Sequence, residues 1–101
     1  MINDIFATLS PLYIKGGFSR KTSFYFSIED VKKTIILDAE TCSVSNGKTE
    51  ENVDCVCKTS EQFFLKIWNE GYTPGLRDFM SGTIKSNAPL LLKEFMKSFG
   101  K

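Results

Sequence analysis

The 101-residue sequence contains no histidine. That absence excludes a Ser-His or Cys-His nucleophile pair and any His-ligated metal site. A surplus of either charge is also missing, since thirteen basic residues face twelve acidic ones for a formal net charge of +1. Residues 1–50 carry six of each sign, so neither half is polarised. A nucleic-acid-binding face needs a basic surplus to displace counterions from phosphates, and none is present. No apolar run approaches the ~20 residues of a membrane-spanning helix. The first residues lack the basic-then-apolar build of a secretory signal. These features lead to the expectation of a cytoplasmic protein.

Cysteine is scarce and odd in number, three in all, which does not make a disulfide scaffold. Cys55 and Cys57 are two apart in a strand-like stretch, so both thiols point to one face. With Cys42 as a third ligand they could form a redox or metal site. Small buried hydrophobes are the favoured reading, because the spacing is not Cys-x-x-Cys and histidine is missing. The carboxylate pairs Asp38/Glu40 and Glu50/Glu51 fall in turn-like segments, where they solvate the chain. General acid–base work needs a buried, perturbed group, and nothing marks one. No enzyme activity and no cofactor are expected.

What the sequence does hold is phenylalanine, nine residues of it, with 42% hydrophobic residues overall. At this length the chain forms one domain, residues 1–101, with a small core. Ile2, Ile5, Phe6 and Leu9 recur at helical spacing, and Ser10-Pro11 then kinks the helix or starts a new turn. From Thr22 to Ile28 the residues alternate as in a half-buried strand, with Phe24, Phe26 and Ile28 on one face. Glu29 to Lys32 reads as a polar turn, and Thr34 to Asp38 as a second strand. A third, Thr41 to Ser45, is closed by Asn46-Gly47, a hairpin signal, and a fourth runs from Val53 to Lys58.

The period then changes. Thr59-Ser60-Glu61-Gln62 fits a capping box with Thr59 as N-cap. Phe63, Phe64, Ile67 and Trp68 form an apolar helix stripe that Gly71 is placed to end. Thr73-Pro74 opens another helical turn carrying Leu76, Phe79 and Met80, and Ser81-Gly82 breaks it. Thr83 to Ser86 gives a short final strand. Asn87 and Pro89 start the last helix, whose stripe is Leu91, Leu92, Phe95, Met96 and Phe99, with Lys93, Glu94, Lys97 and Ser98 opposite. Strands clustered before helices give an α+β fold, a five-stranded, largely antiparallel sheet covered on one face by helices. Periodicity alone leaves two interiors open, a Phe-rich filled core and an apolar cavity that holds a lipid tail, because both bury the same side chains.

Particular stretches carry a resemblance. Thr59-Ser60-Glu61-Gln62-Phe63-Phe64-Leu65-Lys66-Ile67, followed by Thr73-Pro74-Gly75-Leu76-Arg77-Asp78-Phe79-Met80-Ser81-Gly82-Thr83-Ile84-Lys85, resembles the sterol carrier protein type two family. The Phe24-Tyr25-Phe26 strand and Asn46-Gly47 sit at matching places, so the resemblance spans about Ile5 to Phe99, with Phe79-Met80-Ser81-Gly82 its most specific piece. After Ile84-Lys85 the sequence departs from the family, since Ser86-Asn87-Ala88-Pro89 begins a helix directly.

The resemblance implies an internal hydrophobic tunnel for fatty acids, acyl-CoA, phospholipids or sterol-like molecules. Its walls would come from Phe26, Ile28 and Ile35 on the sheet. Phe64, Ile67 and Trp68 would add one helix, Phe79 and Met80 a second, and Leu92, Phe95 and Met96 the last. Arg77 is the candidate to hold an anionic head group bidentately, against the plainer reading of a solvated charge paired with Asp78. The expected partner is therefore a lipid or fatty acyl ligand, with transient membrane contact and a homodimer as further partner readings and no nucleic acid. The alternative function is a protein-interaction or dimerisation module with a filled core, docking through Leu91, Phe95 and Phe99.

Overall fold

The computed structural model describes residues 2–49 and 51–100; Glu50, named above, lies outside them. Two short helices come first, α1 (Ile2–Ala7) and α2 (Leu9–Leu12). The break falls at Thr8, whose hydroxyl bonds back to the carbonyls of Asp4 and Ile5, each at 3.1 Å. Ser10 and Pro11 lie inside the single turn of α2, and Ser10 Oγ ties it to the carbonyl of Cys42 at 2.8 Å.

The sheet contains β1 (Thr22–Ile28), β2 (Val31–Leu37), β3 (Cys42–Asn46), β4 (Cys55–Thr59) and β5 (Ile84–Ser86). Their spatial order is β3-β2-β1-β4-β5. All neighbours are antiparallel except the central pair of β1 and β4, which is parallel. The sheet is thus mixed, and the parallel pair has a topological cause. β3 joins only β2, so the chain must cross from one side of the sheet to the other before β4. Asn46-Gly47 accordingly makes no hairpin to the next strand. Gly47, at φ 73°, donates to the carbonyl of Lys32 instead. The crossover runs over the face away from the helices, where Thr34 Oγ1 donates to Gly47 O at 2.7 Å and accepts from Thr49 N at 3.1 Å.

Register explains another shift. β2 begins at Val31, three residues before the expected start, because Glu29-Asp30 alone makes the turn, with Ile28 facing Val31. Lys32 and Thr34 take the outward positions of β2, and Lys32 Nζ bonds Ser27 Oγ at 2.6 Å on that face, while Lys33 lies opposite Phe26 on the helix side and bonds Asn46 Oδ1. Glu29 takes a positive φ of 54° in this turn.

The helical layer is α3 (Glu61–Glu70), α4 (Leu76–Met80) and α5 (Pro89–Lys97). The N-cap of α3 is Ser60, one residue later than the capping-box reading, and its Oγ accepts from Phe63 N at 3.1 Å. Thr59 remains in β4, where its hydroxyl donates to Thr83 O at 2.8 Å. Glu29 Oε2 accepts a second bond from the α3 N-terminus, from Glu61 N at 2.6 Å. Gly71 ends α3 at φ 72°, a left-handed cap that costs glycine little. Thr73-Pro74 does not open α4; Gly75 is its N-cap.

The alternation in β1 buries Phe24, Phe26 and Ile28 at 1% exposure or less beneath the helices. Rings fill the space between the layers. Phe26 meets Phe95 at 4.9 Å between centroids, Phe6 at 5.6 Å and Phe64 at 6.1 Å. Phe95 continues to Phe24 at 4.9 Å and Phe99 at 4.8 Å, while Phe64 stacks on Trp68 at 5.9 Å. These separations are those of favourable tilted and edge-to-face aromatic pairs. Ser98, assigned to the polar face of α5, is buried, because Ile14 N donates to its carbonyl at 2.7 Å and its Oγ bonds Glu94 O at 3.0 Å.

Candidate functional site

The main apolar opening lies at the outer corner of the helical layer and has a volume of about 250 Å³. One wall is Ile67 at the end of α3 and the Gly71–Pro74 loop that follows. Phe79 of α4 forms a second. The third is α5, with Pro89, Leu90, Leu92 and Met96, and with Lys93 and Lys97 at its polar edge. Lys93 and Lys97 are four residues apart on one helix and so share a face.

Asp78 positions α4. Its Oδ2 accepts from Tyr72 Oη at 2.6 Å and from Gly75 N at 2.8 Å, joining the loop after α3 to the first turn of α4. The Tyr72 bond, and then the Gly75 N–H, hold the Asp78 carboxyl below the ordinary carboxylate value. The same bond raises the Tyr72 phenol. Lys66 Nζ lies 4.1 Å over the Tyr72 ring, a cation–π contact on the same loop. The ends of α3 and α4 are thereby tied across a non-helical loop.

Among the residues expected to line a tunnel, the structure brings Ile67, Phe79, Leu92 and Met96 to this groove. Phe26, Ile28, Ile35, Phe64, Trp68 and Phe95 lie beneath it in the packed interior, each at 5% exposure or less. Arg77 and Met80 are on the exposed side of α4 and do not line it. Sequence reasoning passed over Tyr72, Pro74 and Leu90, and assigned Lys93 and Lys97 only to the solvent face. The residues 71–75, Gly-Tyr-Thr-Pro-Gly, were the available signal, since a loop of that composition between two helices cannot close the layer over itself.

The cysteines are free thiols, with Cys55 and Cys57 both buried on the inner face of β4. Burial pushes the Cys57 thiol up to about 12, the reverse of what a nucleophile or metal ligand needs. Asp38 Oδ1 accepts from Glu40 N at 2.8 Å and Thr41 N at 2.7 Å, so this carboxylate organises the β2–β3 turn. The other pair loses Glu50 to the residues outside those described. No helix of the described residues is long and apolar enough to cross a membrane.

Comparison with solved structures assigns the fold to the sterol carrier type. The stereoselective inverting sec-alkylsulfatase Pisa1 from Pseudomonas sp. matches with a TM-score of 0.63 and 15% identity, covering 84% of this chain and 13% of that one. A double variant of that sulfatase matches with a TM-score of 0.70 and 17% identity, over 96% of this chain and 16% of its own. This chain thus corresponds to a small part of the sulfatase. UbiJ-SCP2, a ubiquinone synthesis protein, matches with a TM-score of 0.57 and 10% identity, over 83% of this chain and 65% of that one. Sterol carrier protein 2 from Yarrowia lipolytica in its apo form matches at 0.51 and 15%, over 82% and 71%. At these identities the likeness is one of fold. No family model and no curated protein sequence matches the chain.

Proposed function

We propose that the chain binds the apolar tail of a lipid or fatty acyl ligand in the groove between α3, α4 and α5, without catalysing a reaction on it. The observation that carries this reading is an open apolar groove with two lysines at one edge, on a sterol-carrier-type fold. Its volume of about 250 Å³ exceeds the ~150 Å³ of an apolar cavity that takes up benzene. It falls below the ~300–1,000 Å³ of sites that enclose a drug-sized molecule. A tail enters in part, therefore, and its head stays at the rim. Each buried methylene contributes ~0.8 kcal/mol before association costs. Ile67, Phe79, Leu92 and Met96 hold the tail. Phe26, Ile28, Ile35, Phe64, Trp68 and Phe95 form an inner wall that a longer tail reaches only by turning rings aside. Lys93 and Lys97 meet a carboxylate, sulfate or phosphate head, a part that Arg77 is too far round α4 to share. Alkyl sulfates and sterols, for which two of the similar proteins are named, both join an apolar body to a polar head.

Native mass spectrometry of gently purified protein, with displacement of a fluorescent fatty acid, tests the proposal. A bound lipid mass and displacement support it; neither signal overturns it. A second reading follows from the sulfatase, in which a match to this chain occupies 13–16% of a larger enzyme. In that reading the chain is an accessory module that docks on a catalytic partner or on its own copy, and the groove stays empty.

A further inference from the structure

Three large apolar side chains stand in solvent beside the groove. Leu76 is 75% exposed, Met80 78% and Leu90 80%. Leu76 and Met80 are four residues apart on α4 and share its outer side, while Phe79 turns into the groove. Leu90, in the first turn of α5, stands on the groove's edge. The start of the chain is less open: Ile2, Phe6 and Leu9 are all 3% exposed or less, and Leu12 and Ile14 stand out of it at only 48% and 55%.

The charge around these side chains is uneven although the chain is nearly neutral. Residues 66–97 hold Lys66, Arg77, Lys85, Lys93 and Lys97 against Glu70, Asp78 and Glu94. Of the three acids, Asp78 is already engaged by Tyr72 and Gly75. Apolar tips set among cations match the boundary of an anionic bilayer, where acyl chains lie just beneath phosphates. A second copy fits less well. A two-fold pairing brings the same patch against itself, and the surplus of positive charge with it.

We propose that α4 and the first turn of α5 form a docking face for an anionic lipid bilayer. Leu76, Met80 and Leu90 enter the headgroup boundary while the surrounding lysines and Arg77 meet lipid phosphates. The face adjoins the groove and shares Leu90, Lys93 and Lys97 with it, whereas Leu76 and Met80 belong to the face alone.

Sedimentation of the full chain with large vesicles tests this, using phosphatidylcholine alone or with one third phosphatidylglycerol. The protein is expected to pellet with the anionic vesicles, to stay behind with the neutral ones, and to be released by added salt. The double substitution Leu76→Gln and Met80→Gln is expected to lower partitioning at least about tenfold. Neither residue lines the groove, so displacement of a fluorescent fatty acid in vesicle-free buffer, which also reports folding, stays within about twofold. Wild-type protein that ignores anionic vesicles overturns the proposal, as does a double variant that pellets unchanged. A dimer in sedimentation velocity that the double variant abolishes also overturns it, by giving the face to a second copy. Loss of pelleting in the double variant, with a thermal unfolding midpoint unchanged from the wild type, supports docking even if the wild type binds no fatty acid, in which case the reading of the groove alone fails.

Discussion

The interior and the outer corner of the helical layer are built from the same kinds of residue and arrive at opposite states. Between the sheet and the helices, Phe24, Phe26, Phe64 and Phe95 are 1% exposed or less and touch ring to ring. At the corner, Phe79, Leu90 and Met96 surround an opening of about 250 Å³. The difference lies in what each residue is attached to. The buried rings come from seven-residue β1 and from α3 and α5, long elements that bring many side chains together at once. Phe79 comes from a five-residue helix held by one carboxylate, and a helix that short cannot cover both its neighbours. An empty volume inside so small a core would cost stability at ~24 cal/mol per Å³. With the opening at the corner the main core stays filled.

Replacing one ring from the interior is the largest available disturbance. Phe26→Ala is expected to cost about 3–5 kcal/mol in chemical denaturation, because the surrounding rings cannot collapse into the hole. A loss under about 1 kcal/mol would mean that the interior is as loose as the corner.

The buried thiol reports on the same interior through pH. Cys57 ionises near 9.0 when exposed and at about 12 in the fold. Below pH ~9 both states keep the proton and the fold is undisturbed. As pH climbs from ~9 toward ~12, only the unfolded chain releases it, so stability falls across that window. At neutral pH a thiol reagent should label half-buried Cys42 well before Cys57. Equal rates would break the contrast.

At the corner the effects shift from stability to binding. Phe79→Ala is expected to lower stability by only about 1 kcal/mol, in keeping with its partial burial. It should weaken the fluorescent fatty acid by about tenfold in a displacement titration. A variant that binds normally would move the site away from this groove.

The smallest effect concerns Asp78, whose carboxyl lies below its ordinary value. A depressed acid contributes fully above the ordinary carboxylate value and loses its contribution as pH falls through its own lower one. Probe affinity should therefore decline in acid in the wild type. In Asp78→Asn that decline should be absent, with affinity already reduced at neutral pH because the amide meets Tyr72 and Gly75 less strongly than a carboxylate. An unchanged acid profile in the variant would sharpen the comparison against α4, leaving its position to packing alone.

Local features were legible to different depths. The bounds of β1 follow from its alternation, and the end of α3 from Gly71, because each depends on neighbours in sequence. The cap of α3 moved by one residue because Thr59 is claimed by β4 and a bond to Thr83. Four groove residues, Ile67, Phe79, Leu92 and Met96, came from the resemblance, but their neighbours Tyr72, Leu90, Lys93 and Lys97 did not. An apolar residue at helical spacing looks the same whether it faces a ring or an opening.

The amino-acid sequence by itself determined the element types, the helix stripes and the absence of histidine chemistry, because these depend on residue identity and spacing within a few positions. Only the tertiary structure decided that β1 and β4 run parallel, since that depends on a crossover that pairs residues about thirty positions apart. It also decided that the rings close the interior while the corner stays open. That outcome is set by how far short α4 can reach between α3 and α5, a distance that no local pattern records.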